Sequence, residues 1–209
     1  MAEINGLQLN FTPEAKEPMV KMPFQGNYTQ EMYTQQIIDE YTAAGINPSR
    51  VWLQSFVLKD ILYWLRADPA FGKQALYLDN RVDTPAGYKT AVADMQKLAD
   101  QGVQVISPPI ASLLSVDSQG KIVPSDYAIA AKAAGLKIIT WSLERSGFLS
   151  QVKATKDYYY ASFASAIKQD GDMYTVVDVL AQQVGILGLF SDWPATVTYY
   201  ANCMGLGAP

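Results

Sequence analysis

The chain has 209 residues, 49% apolar and 17% charged, enough to bury a sizeable core and far from the composition of a disordered chain. A formal net charge of -4 with no Lys/Arg run excludes a phosphate-neutralising nucleic-acid surface, and no apolar stretch approaches the roughly 20 residues that span a bilayer. A single cysteine, Cys203, excludes an intrachain disulfide, and there is no histidine at all.

In chain order, Met1–Asn5 offers neither a basic nor an apolar leader segment, so no signal peptide is visible. A first strand is expected over Leu7–Thr12 and is closed by Thr12-Pro13-Glu14-Ala15-Lys16. Glu14 and Lys16 stand two residues apart, so the period of a strand puts both on one face. Such a pair suits a metal-plus-phosphate site, and equally a rim ion pair. Residues 17–28, with Pro18, Pro23 and Gly26, read as a loop.

Thr29 then caps a helix whose apolar stripe is Tyr33, Ile37, Tyr41 and Ala44. Gly45 ends it, and a second strand follows over Arg50–Phe56. A third strand is expected at Gln74–Leu78. A helix striped by Tyr88, Val92, Met95 and Ala99 ends at Gly102, before a strand at Val103–Ser107. Ser125 caps the Ala-rich helix that ends at Gly135, before a strand at Leu136–Leu143. Residues 145–172, with Tyr158-Tyr159-Tyr160, interrupt the rhythm as an insertion. The tyrosines pack on the rim or stack on a sugar or alcohol. Met173, Val177, Leu180 and Val184 stripe a helix ended by Gly185, and the last strand is Ile186–Ser191. Asp192 is expected to cap the final helix, in which Cys203 is expected to be buried.

Helix and near-continuous apolar strand in alternation mean a parallel α/β sheet. It is either an open doubly wound sheet or part of a closed barrel. No Gly-x-Gly-x-x-Gly and no phosphate-cradling Walker loop follows the first strand. Polar and aromatic residues mark the strand ends instead: Glu14, Lys16, Phe56, Asp79, Ser107, Trp141, Glu144 and Asp192. The common mouth of a barrel is where such residues meet, so an incomplete (β/α)8 TIM-type barrel of about six parallel strands is expected, as a single partial domain. Glu144 and Asp79 also have the chemistry of a glycosidase acid/base pair, with no separation fixed by sequence.

Four segments together resemble the later strands of the glycerophosphodiester phosphodiesterases. They are Phe11-Thr12-Pro13-Glu14-Ala15-Lys16, Trp52-Leu53-Gln54-Ser55-Phe56, Ile139-Thr140-Trp141-Ser142-Leu143-Glu144 and Gly188-Leu189-Phe190-Ser191-Asp192-Trp193-Pro194. Order and spacing agree, and the likeness covers essentially the whole chain, in particular to members with an insertion before the last strand. The resemblance implies a (β/α)8 barrel whose first two strands carry a His-Arg motif, a Glu-x-Asp metal pair and a second histidine. This sequence is expected to begin at the third strand, with Met1 in the helix before it.

The resemblance further implies roles. Glu14 would ligate a divalent metal ion, Ca²⁺ or Mg²⁺. Lys16 would be the catalytic cation that holds the phosphate. Phe56 and Trp141 would line the substrate pocket. The implied reaction is metal-dependent hydrolysis of a small glycerophosphodiester to glycerol 3-phosphate and an alcohol. Members with this layout are often exported. The alternative is a catalytically inactive barrel fragment serving as a binding or interaction module, because acid–base chemistry in the family needs two histidines. Missing strands would also leave sheet edges exposed, and self-association through them is expected.

Overall fold

The computed structural model describes residues 9–145 and 147–206. In chain order the elements are β1 (Glu14–Ala15), α1 (Gln30–Ala43), β2 (Gln54–Ser55), α2 (Leu58–Ala67), α3 (Pro69–Gly72), β3 (Leu76–Leu78), α4 (Pro85–Ala93) and α5 (Met95–Asp100). They continue with β4 (Val105–Ser107), α6 (Ile110–Leu113), β5 (Leu114–Val116), β6 (Ile122–Pro124), α7 (Asp126–Ala133) and β7 (Lys137–Leu143). The last are α8 (Leu149–Thr155), α9 (Met173–Asp178), β8 (Gly188–Ser191) and α10 (Pro194–Cys203). A π-helical turn over Val179–Val184 prolongs α9.

The chain divides into two compact units. One runs up to Leu78 and adds Lys97–Ile106, and the other holds Asp79–Gln96 and the chain from Ser107 onward. In the first unit β1 pairs in parallel with β2, Glu14 opposite Gln54 and Ala15 opposite Ser55, and β2 pairs in parallel with β3. The ladder extends further than these short strands suggest. Phe11 N–H donates to Arg50 O and Trp52 N–H to Phe11 O, each at 2.7 Å. The first strand therefore lies later than the expected Leu7–Thr12, because Pro13 has no N–H yet its carbonyl still accepts from Gln54. Leu7 and Gln8 fall outside the described residues.

Val51, Leu53, Ile61, Trp64, Phe71 and Leu76 are fully or almost fully buried in this unit. Trp64 also gives its indole N–H to Thr34 O at 3.1 Å, which satisfies the one polar group it buries. Thr29 caps α1 as expected, its hydroxyl accepting from Met32 N–H. The buried face of α1 is different from the one expected: Thr34 and Ile38 point inward, while Tyr33, Ile37 and Tyr41 line a surface groove with Pro13. The two faces differ by one residue, about 100° of helix rotation.

In the second unit Asp79 N–H, just past β3, donates to Ser107 O at the end of β4. The chain after β4 runs parallel to β7, with Pro109 opposite Trp141, and β7 pairs in parallel with β8. Tyr127, Leu143, Tyr160, Phe163, Val176 and Leu180 form the core here. An antiparallel hairpin, β5 with β6, was not anticipated. Its turn is held by the Asp117 carboxylate, which accepts from Gln119 and Lys121 N–H. The expected single helix from Tyr88 to Ala99 is two helices that break at Asp94.

The glycines expected to stop helices do so. Gly45, Gly102, Gly135 and Gly185 all have φ between +68° and +93°, where a side chain is strained. Cys203 is exposed, not buried, because it sits at the last turn of α10. Asp192 does not cap α10. Trp193 holds the cap position without a side-chain bond, and Asp192 faces Arg145 at 3.6 Å. Six parallel strands alternating with helices make this an α/β protein with the strand set of an incomplete (β/α)8 barrel.

Candidate functional site

Glu14 lies on β1 and Lys16 just beyond it, and their side chains meet at 2.8 Å (Nζ to Oε2). The ammonium is largely exposed, whereas the carboxylate is only 21% exposed. The other carboxylate oxygen, Oε1, is buried and has no hydrogen-bond partner among the described residues. An unpaired buried anionic oxygen is costly, which marks this one as available to a ligand.

Opposite Glu14 stands Gln54, whose amide is turned back to Thr12, donating to its carbonyl at 3.0 Å and its hydroxyl at 2.8 Å. Phe56 follows β2 directly and is half-buried. Phe56 is the residue after Ser55, which pairs with Ala15, as Lys16 is the residue after Ala15. The first unit thus brings three of the four predicted residues to the C-terminal end of β1 and β2, where barrel chemistry is placed.

Below that edge lies a carboxyl group not singled out in the sequence. Asp60 is 3% exposed and accepts from Ser55 Oγ at 2.8 Å and Gln30 Nε2 at 2.9 Å. Burial pushes its pKa up, against the pull of those two hydrogen bonds. The only signal for it was Ser55 five residues earlier, which gives no period to read.

Trp141 belongs to the second unit. Its indole N–H donates to Ser107 O at 2.8 Å, and its ring is stacked against Tyr158 at 6.4 Å and meets Tyr159 edge-on at 6.1 Å. Tyr158 in turn donates to Asp83 at 2.5 Å, and burial and that carboxylate push its pKa up. Two of the three adjacent tyrosines therefore pack on Trp141, and Tyr160 is fully buried. Asp79, wholly buried, is held by a two-pronged Arg81 (2.7 and 2.8 Å) and by Tyr127 Oη at 2.7 Å. Glu144 accepts instead from Ser191 Oγ and Trp193 N–H. Each of these two carboxylates has its own set of partners.

Among the described residues no three carboxylate or thiol groups gather as a metal cluster. The fit of a divalent cation rests on Glu14 alone: its orphaned Oε1 suits one bond to a hard cation, and the remaining oxygens of a full shell are not gathered there.

The structure is similar to a glycerophosphodiester phosphodiesterase from Parabacteroides distasonis, with a TM-score of 0.55, 11% identity, and 94% of this chain covering 58% of that one. It is similar also to a putative glycerophosphoryl diester phosphodiesterase from Silicibacter pomeroyi, with a TM-score of 0.52 and 16% identity over 84% of this chain and 45% of that one. The chain thus has the fold of the glycerophosphodiester phosphodiesterases and spans about half the length of these solved structures. No family profile matches the sequence. An extracellular protein of Arthroderma benhamiae is 58% identical over 198 residues, 95% of this chain and 81% of that protein, and the chain belongs to its family.

Proposed function

We propose that the chain carries part of the binding site of a metal-dependent phosphodiester hydrolase acting on glycerophosphodiesters. The observation behind this reading is the Glu14–Lys16 pair, set at the end of a parallel strand with one carboxylate oxygen buried and unpartnered among the described residues. In this reading Glu14 gives one bond to Ca²⁺ or Mg²⁺, and the cation, when bound, polarises a phosphoryl oxygen. Lys16 donates to the phosphate and offsets the charge that builds on it. Phe56 supplies an apolar wall against the glycerol or the leaving alcohol. With no histidine among 209 residues, the protons of the reaction have no ordinary carrier. The chain by itself is therefore a binder more than a catalyst.

Calorimetric titration tests the binding part. Ca²⁺ or Mg²⁺ is titrated first, then glycerol 3-phosphate into the cation-loaded protein. Glu14→Gln is expected to weaken the cation by about ten-fold or more, the effect of losing a charged ligand. Lys16→Met is expected to leave the cation bound and to weaken glycerol 3-phosphate. Equal affinities in wild type and both variants would overturn the proposal.

A further inference from the structure

The sequence holds two Asn-x-Thr tripeptides, Asn10-Phe11-Thr12 and Asn27-Tyr28-Thr29, while Asn47-Pro48-Ser49 has the spacing but a proline in the middle. An Asn-x-Ser/Thr run without that proline is the acceptor for an N-linked oligosaccharide, provided the folded chain leaves the asparagine at the surface. The amide nitrogen of asparagine is a weak nucleophile, because its lone pair is shared with the carbonyl. The hydroxyl two residues on is what presents it to the transferase. Where each tripeptide lies in the fold separates the two.

Asn27 is exposed and ends the turn Gln25-Gly26-Asn27, in the loop between β1 and α1. Phe24 and Tyr28 close that turn, Phe24 N–H donating to Tyr28 O at 2.7 Å and Tyr28 N–H to Phe24 O at 3.0 Å. Gly26 is in the left-handed region, φ +90°. Among the described residues no atom outside its chain neighbours lies within 4 Å of where a Gly26 Cβ would stand, so the tip has room for a bulky group. In the folded chain the Thr29 hydroxyl accepts from Met32 N–H and caps α1. That hydroxyl therefore serves the transfer on the unfolded chain and the helix cap afterwards. Asn10 is placed differently. It adjoins Phe11, whose N–H and carbonyl both belong to the ladder with Arg50 and Trp52. Pro13 directly after the tripeptide biases Thr12 to extended backbone, away from a turn over Asn10.

We infer that Asn27 is an attachment site for an N-linked oligosaccharide. In the transfer its side-chain nitrogen bonds to the anomeric carbon of the first sugar of a polyprenyl-diphosphate-linked oligosaccharide. The bond from that carbon to the diphosphate oxygen breaks, the diphosphate leaves with the electron pair, and the amide gives up one proton. The same loop exposes Met19 fully, Val20 by 49% and Phe24 by 42%, so a hydrated sugar chain adds polar cover to an apolar stretch. The site lies wholly within the first unit and stands whether or not Glu14 and Lys16 handle a phosphodiester.

The test is to send the whole 209-residue chain through a eukaryotic secretory host behind a cleavable leader. Peptide mass spectrometry is then run before and after enzymatic release of N-linked sugars, which converts the carrying asparagine to aspartate. The wild-type peptide that holds residue 27 is expected to carry sugar and to show that conversion after release. Asn27→Gln, at an exposed turn position, is expected to fold and to carry none there. Thr29→Ala keeps Asn27 but removes the hydroxyl, and is expected to lose the sugar. Thr29→Ser keeps the hydroxyl for both transfer and cap, and is expected to retain it. Asn10→Gln is expected to leave the sugar on Asn27 as in wild type. A bare Asn27 in the secreted wild-type chain, or sugar on Asn27 that survives in Thr29→Ala, would each overturn the inference.

Discussion

Tyr160 is fully buried, and its hydroxyl accepts from the N–H of Glu144. Burial is the largest cause that pushes its pKa from the usual 10.0 up to about 12. A raised folded-state value means that this stability is fully present below pH 10 and is lost as pH rises toward 12, where the unfolded chain gives up the proton first. Urea melts between pH 9 and pH 12 on wild type and Tyr160→Phe are expected to show a shallower decline in the variant; parallel declines would sink this reading. Asp79 makes a different prediction. Its carboxylate is buried beneath Arg81 and Tyr127, so Asp79→Ala removes the two-pronged contact of Arg81, which keeps Asp94 at 3.3 Å, and the bond from Tyr127. Removing one member of such a pair costs about 3 kcal/mol or more, readable as a lower urea midpoint with an unchanged slope. The exposed Arg66–Glu31 pair, 3.7 Å apart and 70% exposed on both sides, is expected to contribute almost nothing.

Elements in this protein are set by caps and by close backbone approaches. Ser125 both caps α7, accepting from Ala128 N–H, and donates to Ser112 O at 2.5 Å, so it ties the start of α7 to the end of α6. Ser125→Ala is expected to cost about 1–2 kcal/mol, while Thr29→Ala, whose hydroxyl caps an exposed helix start, costs about 1 kcal/mol or less. Gly87 in α4 has a sharper constraint, because an added Cβ would overlap the backbone carbonyl of Arg81. Gly87→Ala must shift the turn that carries Arg81 and is expected to cost more than about 2 kcal/mol, although alanine is the better helix former. Thermal melts on the three variants check this order, and a Gly87→Ala protein as stable as wild type would refute it. At the same scale, the apolar stripe of α1 is not its buried face. Tyr33, Ile37 and Tyr41 have helical spacing and apolar bodies, but Ile38 and Thr34 meet the core, and Thr34 is buried with its carbonyl bonded to Trp64.

For the whole molecule, the prediction concerns turnover. The chain has no histidine, the side chain most often used in general acid–base catalysis, which contributes on the order of 10²–10⁴-fold. The purified chain with Ca²⁺ or Mg²⁺ is expected to release no measurable glycerol 3-phosphate from a glycerophosphodiester above the Lys16→Met control, as read in a coupled assay. Robust metal-dependent release would require another proton carrier. Much was legible beforehand: alternating apolar runs and glycine-stopped helices determine a parallel α/β chain, because burial on both faces and the left-handed cap are local demands on residue type. The Glu14–Lys16 pairing was legible for the same reason, since strand period alone puts the two on one face. What only the tertiary structure decided was partnership between distant positions. The orphaned oxygen of Glu14, the buried Asp60 under Ser55 and Gln30, and the seating of Trp141 against Tyr158 depend on which surfaces meet. No local period links such positions; packing and the long-range ladder of parallel strands bring them to one place.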